Sequence, residues 1–341
     1  MTAREIIQKR LNHEGTDKTP YAVDIEPELY QKLTEYYGDE HWREKRLKTY
    51  TCYDMVVDTV GMKQLDDVYS IDAYKALWRM DKMPWKLDKP PLSEPDLSMY
   101  ELPDASLFTN QIMRDKPAAI AKYEADNEHY RIISMGWGIF EHTWRIRGFE
   151  NALTDTITDE DFYSELTRRI TDLYIEMLKA CEDIPADAYL FGDDWGEQRG
   201  VIIGAERWRK FIKPCWERVY KEVHRQNKKA IQHSCGSICE IYDDLIEIGM
   251  DCHESVQPEA HGMEPAVLKE KWGDRLSFWG CLGSQGILSF GSPEEIRKEI
   301  LRLHELFRRD GGYVLAPAKT LHDGMRVECA AAVIEALSEL S

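Results

Sequence analysis

The chain has little of what several large protein classes require, and those absences narrow the field first. No uninterrupted apolar run reaches bilayer-spanning length, and MTAREIIQKRLNHEG at the start has no signal-peptide core. Positive charge is scarce: 44 Lys and Arg stand against 62 Asp and Glu, a formal charge of −18. Such a surface repels phosphate backbones and anionic lipid heads, which argues against nucleic-acid and membrane partners. The eight cysteines are scattered through 341 residues rather than packed into a disulfide framework, so free thiols in a reducing cytoplasm are expected. No Gly-rich phosphate loop follows a β-favourable run, and no internal repeat or low-complexity tract is present.

What remains is a rhythm. From residue 130 onward, short β-favourable runs alternate with helical patterns: YRIISMGWGIFE, AYLFGDDWG, KAIQHSCGS, DCHESVQPEA, LSFWGCLGS and GGYVLAPAK. Between them apolar residues recur three and four apart, as in FYSELTRRITDLYIEMLKACEDI and SPEEIRKEILRLHELFRRDGG. Ser292, Pro293 and Glu295 mark a helix start, and Pro214 predicts a kink or break in the helix that contains it. Alternation of this kind predicts parallel strands with crossover helices, as an open doubly wound sheet or a closed eight-fold barrel. PYAVDI (20–25) reads as an early strand. The region from about 26 to 128 reads as a cap and insertions, with PWKLDKPPLSEPDLSMYELPD extended.

In parallel α/β folds ligands meet the carboxyl ends of strands. That rule collects Glu141, Asp193, Asp194, Glu197, His233, Cys235, Gln257, Glu259, Cys281 and Lys319 around one mouth, from six strand ends. Asp193 and Asp194 offer acid–base or anchoring groups, although adjacent carboxylates on a strand point opposite ways and one of them can simply cap a turn. His233 and Cys235, two apart, share a side and suit zinc; Cys281 and Glu197 are candidate further ligands. The plainer reading of the pair is a buried cysteine beside a histidine bonded to a neighbouring strand. Lys319 is either an anion or proton group or an exposed lysine. Trp137 and Trp195 are candidates to line a pocket for a flat substrate, though aromatic residues are mostly core.

GDDWGEQRGVIIGAERWRKFIKP, HSCGSI, QPEAHGM, FWGCLGSQGILSFGSPEEI and GGYVLAPAK together resemble the uroporphyrinogen decarboxylase superfamily, and within it the cobalamin-dependent methyltransferase-like branch. The likeness runs from about Gly136 to the end, and RLNHEGTDKTPYAV also fits. It implies α/β architecture with a single (β/α)8 TIM barrel over 1–341: early strands, N-terminal cap and insertions in 1–128, main barrel motifs in 129–341. The decarboxylases' arginine-rich N-terminal segment is missing, which disfavours a decarboxylase-like lyase. The superfamily's zinc methyltransferases use H-x-C plus a later cysteine; His233 and Cys235 match, but Lys319 in LAPAK stands at the third position. The resemblance therefore implies the ether-cleaving methyltransferase of O-demethylase systems, which moves a methyl group from a methoxylated aromatic to a corrinoid on a separate protein. It further implies zinc as Lewis acid, and Asp193, Asp194 and Lys319 in catalysis. Glu141, Trp137, Trp195 and Gln257 would then meet the substrate. A homodimer is compatible with it, and a non-catalytic binding barrel is the remaining alternative.

Overall fold

A computed structural model describes residues 1–57 and 61–340. Eleven strands follow in chain order: β1 (Thr51–Val56), β2 (Lys63–Gln64), β3 (Tyr69–Ile71), β4 (Leu77–Arg79), β5 (Lys86–Lys89), β6 (Tyr130–Gly136), β7 (Ala188–Phe191), β8 (Lys229–His233), β9 (Cys252–Val256), β10 (Ser277–Leu282) and β11 (Tyr313–Pro317). Seven of them make one parallel sheet in the order β1-β6-β7-β8-β9-β10-β11. Every neighbour in that order is the next core strand in sequence. The sheet therefore winds in one direction with no reversal, which is TIM-like and not doubly wound. The crossover helices cover its outer face, so β10 and β11 are buried along their whole length.

The segment at 20–25 is extended, as its composition suggests, but it pairs only through isolated parallel bridges. Tyr21 bridges Leu315 and Ile25 bridges Leu321, with Ala22 N donating to Leu315 O at 2.9 Å and Leu315 N to Pro20 O at 3.0 Å. It thus occupies the free edge of β11.

The region 26–128 is more structured than an extended excursion. Among the described residues it supplies one core strand, β1, and a separate antiparallel sheet of β2 to β5. A 21-residue helix, Ala105–Ala125, then leads to β6. Alternation was too short in β2–β5, and too interrupted by Pro, Asp and Lys, to be seen as strands.

The helix starts follow their sequence signals. Ser292 caps Pro293–Phe307, its hydroxyl accepting from Glu295 N while Glu295 returns to Ser292 N. The helix through Pro214 is interrupted as expected: a π turn at Trp208–Ile212 precedes Lys213–Arg225, and Pro214 falls in the first turn, where a missing N–H costs nothing.

Candidate functional site

The doublet after β7 separates into two roles. Asp193 is fully buried and accepts four hydrogen bonds: from the backbone N–H of Phe140 and Glu141, and from the indoles of Trp195 and Trp216. It caps the helix Ile139–Arg147 from a neighbouring strand end, where the exposed N–H groups and the helix dipole favour a carboxylate. Burial nevertheless pushes its pKa up to about 7. Asp193 is therefore spent on holding elements together rather than on a substrate. Asp194 points the other way, to the mouth.

There Asp194 Oδ1 accepts from Cys235 N at 2.7 Å and lies 3.5 Å from His233 Nε2. Cys235 Sγ is 3.5 Å from the same Nε2. Among the described residues, Asp194, His233 and Cys235 are the group whose ligand atoms, one from each, all lie within 4.8 Å of one another. The other ring nitrogen, His233 Nδ1, is 2.5 Å from Glu254 Oε2, on the residue paired with it across β8 and β9. A carboxylate on Nδ1 fixes the tautomer that presents Nε2 to a metal. Burial opposes protonation of His233, but Glu254 and then Cys235 outweigh it and hold the imidazole well above its ordinary pKa. Lys319 Nζ donates to Cys235 Sγ at 2.9 Å. Burial alone would lower that ammonium, yet the bond to Cys235, with Asp194 and Glu254 beyond, holds it above its ordinary value. One nitrogen, one sulfur and one oxygen, with a carboxylate behind the histidine, suit zinc and leave a coordination position open.

The two other residues proposed as ligands lie elsewhere. Glu197 is exposed and its Oε1 accepts from Arg199 N, inside its own loop. Cys281 has the parity of the inward-facing Trp279, but the ladder to β9 slips between Trp279 and Gly280, and Gly280 and Cys281 both take left-handed backbone. That bulge turns the thiol into a buried setting where Arg302, Glu299 and Tyr313 are its neighbours, and burial pushes its pKa up.

The substrate residues are also redistributed. Trp195 is buried, its ring against Trp208 and Trp216. Trp137 packs on Trp78 and Trp144, beneath the antiparallel sheet. Gln257 is buried and holds the loop after β8, its Oε1 accepting from Gly236 N at 3.0 Å. Glu141 lies one step behind the mouth, bonded to Gly138 N; burial, then the charges of Asp193 and Asp194, push it up to about 8.

A cavity of about 230 Å³ opens beside the cluster, with lining residues from all seven core strands and from the 20–25 segment. Ile132, Leu190 and Ile231 give it an apolar floor; Tyr53 and Trp279 supply aromatic faces; His233, Glu254, Asp24 and Lys319 supply the polar ones. Glu254 and Asp24 were not apparent in the sequence as site residues. Their signal was a single carboxylate inside an otherwise β-favourable run, in CHESV and in PYAVDI.

Among solved structures, a methyltransferase from Methanosarcina mazei is similar, with a TM-score of 0.71 and 17% identity over 99% of each chain. At that identity the likeness is one of fold. Weaker likenesses are to 3-keto-D-glucoside 4-epimerase, YcjR, from E. coli (TM-score 0.41, 12% identity, 70% of this chain and 86% of that one) and to a GH113 beta-1,4-mannanase (0.38, 13%, 96% and 99%). No curated protein matches the chain. The family model for uroporphyrinogen decarboxylase (URO-D) matches residues 86–340, from β5 through every later strand of the core to the last helix. With well over half of its length under that match, the chain belongs to the uroporphyrinogen decarboxylase (URO-D) family.

Proposed function

We propose that the chain is a methyltransferase that removes the methyl group of a methoxylated aromatic and passes it to a corrinoid carried by a partner protein, with zinc at Asp194, His233 and Cys235. The observation that carries this reading is the mixed donor set within 4.8 Å, backed by Glu254 and opening on a cavity with aromatic walls. The methyltransferase of like fold supports the reaction class. Zinc bound there supplies a Lewis acid for the ether oxygen, which matters because phenolate is a poor leaving group.

The chain's own residues do the rest. Glu254 accepts from His233 Nδ1 and so fixes the ring with Nε2 toward Asp194 and Cys235, where a metal would take the place of the Nε2 proton. Asp194, fixed by Cys235 N, keeps the loops after β7 and β8 together at the ligand positions. Lys319 keeps its ammonium at the cavity edge, placed to give a proton to the departing oxygen. Tyr53 and Trp279 orient a flat ring between them, and the apolar floor excludes water from the methyl group's surroundings. The corrinoid comes from a partner, since no D-x-H-x-x-G cobalamin-ligand motif occurs in the sequence.

Protein purified without chelator is expected to hold one zinc per chain and to methylate free cob(I)alamin from methoxylated aromatics. His233→Ala and Cys235→Ser should lose both properties, and Glu254→Gln should weaken zinc binding by about 10- to 100-fold. Absence of stoichiometric metal, together with full methyl transfer by His233→Ala, would defeat the metal assignment.

A further inference from the structure

The parallel sheet is laddered from β1 to β11, and the extended segment 20–25 continues it beyond β11. Between that segment and β1 no β-bridge forms among the described residues. Side chains cross this seam instead. Lys48 N donates to Tyr21 Oη at 2.8 Å, Arg43 Nη2 donates to Val23 O at 3.0 Å, and the Tyr21 ring meets Tyr50 edge-on at 5.1 Å. A second cavity, of about 140 Å³, lies in the seam, with residues 21–24 on one side and 49–51 on the other. Ala22, Asp24 and Tyr53 line both this cavity and the one beside the zinc cluster. Leu47, Lys48 and Thr49 line both the seam cavity and an open surface hollow that Met1 and Glu128 border. Three hollows therefore stand in series, from the cluster to a surface away from the mouth.

From this series we infer that the arene enters, and its demethylated product leaves, through the seam, while the corrinoid partner occupies the mouth. The inference rests on the methyltransferase reading above and adds to it a separate route for the smaller reactant. In-line transfer needs the cobalt in contact with the methyl group, so the carrier covers the mouth while the arene is bound. Passing between two laddered strands would break backbone hydrogen bonds. The partition at the seam is made of side chains, and Tyr53 is 46% exposed although it lines the interior, so a rotamer change opens it. The seam cavity is also close to the size, about 150 Å³, that holds one benzene ring.

The test is stopped-flow binding of methoxybenzene and the isomeric methoxyphenols to the zinc-loaded protein, followed by tryptophan fluorescence, since Trp279 lines the inner cavity. Thr51 lines the seam cavity but not the inner one, so Thr51→Phe plugs the passage without touching the bound arene. Association and dissociation rate constants should both fall by roughly tenfold or more, with Kd unchanged to within about twofold. Thr51→Ala widens the passage and should raise both rates. Thr49→Phe plugs it from the outer hollow and repeats the test should Thr51→Phe fail to fold; melting temperature and zinc content are the folding controls. Unchanged rates in a folded plug variant would send the arene through the mouth and overturn the inference. A weakened Kd with an unchanged association rate would make the seam cavity part of the binding site rather than a passage, and would overturn it too. Both outcomes leave the methyltransferase reading standing. If no probe binds the parent protein, the methoxyarene reading falls and this inference with it.

Discussion

Three carboxylates crowd the end of β7 and the helix beside it, and they differ only in surroundings. Asp193 is satisfied by four N–H donors, Asp194 faces the mouth, and Glu141 has one N–H donor and two acidic neighbours. Glu141 therefore carries a testable pH signature. Its pKa rises from an ordinary 4.5 to about 8 in the folded chain. The folded state thus binds its proton more tightly than the unfolded state, and this contribution to stability is complete below about pH 4.5 and lost as pH rises toward 8. Glu141→Gln keeps an oxygen acceptor for Gly138 N and cannot ionise. Its stability relative to the parent should be close at pH 5 and should exceed it by roughly a few kcal/mol at pH 8.5, read by urea denaturation at the two pH values. A pH-independent difference would show that Glu141 does not ionise in this range. Much of this scale was legible beforehand. The DD doublet, H-x-C and LAPAK are polar punctuation at strand ends, and parity alone says that Asp193 and Asp194 must part. Parity failed at Cys281 because a bulge between Trp279 and Gly280 breaks the alternation, and nothing local in WGCLG distinguishes a regular strand from a bulged one.

Between elements, the site depends on two loops that touch through their backbones. A side chain at Gly196 would come within 2.5 Å of Cys235 O, and one at Gly236 would come within 2.6 Å of Gly196 C. Gly236 also has φ +73°, a conformation costly for other residues, and Ser237 N donates to Glu197 O at 2.8 Å across the same contact. This close approach is what brings Asp194, after β7, to Cys235, after β8. Gly236→Ala should therefore push the loops apart, break the bond from Cys235 N to Asp194, and lower zinc affinity by tenfold or more, to order of magnitude. Competition with a chromogenic chelator measures it. The alanine variant at half-buried Gly204, which also has positive φ but nothing within 4 Å of an added side chain, is the control for backbone strain alone. Equal zinc affinities in the two variants would dismiss loop contact as the organising feature. The sequence announces both glycines as turn residues, in DDWGE and SCGS, but not that they face each other, because that contact joins residues some forty positions apart.

At the scale of the whole molecule, the antiparallel sheet of β2 to β5 is the part least readable from sequence, and its attachment explains why. Its anchor combines the buried rings of Tyr74 and Trp78 with a buried polar knot. Asp72 accepts from Ala76 N, from Trp78 Nε1 at 2.6 Å and from Arg145 Nε at 2.7 Å, and the Arg145 guanidinium sits over the rings of Tyr74, Trp78 and Trp137. Periodicity cannot reveal an aspartate that meets an arginine 73 residues away. Six of the seven core strands, β6 to β11, were legible because each is a β-favourable run closed by a glycine or a polar residue; β1, TCYDMV, with Asp54 inside it, was not. The small sheet has short, half-polar strands that meet the helix Ile139–Arg147 through this knot and through Tyr74, whose ring stacks on His142. Both members of the pair are almost fully buried, at 5% and 2% side-chain exposure, so salt will screen it little. Arg145→Met keeps most of the volume but strands the Asp72 charge, which costs about 3–5 kcal/mol. The loss should be local: amide exchange in β2–β5 should accelerate by orders of magnitude while β6 to β11 stay protected, because the parallel ladders do not run through the knot. Asp72→Asn with Arg145→Met removes both charges and should recover part of the protection. Uniform acceleration across both sheets would instead mean that the small sheet and the core unfold as one cooperative unit, and that the knot stabilises the whole chain.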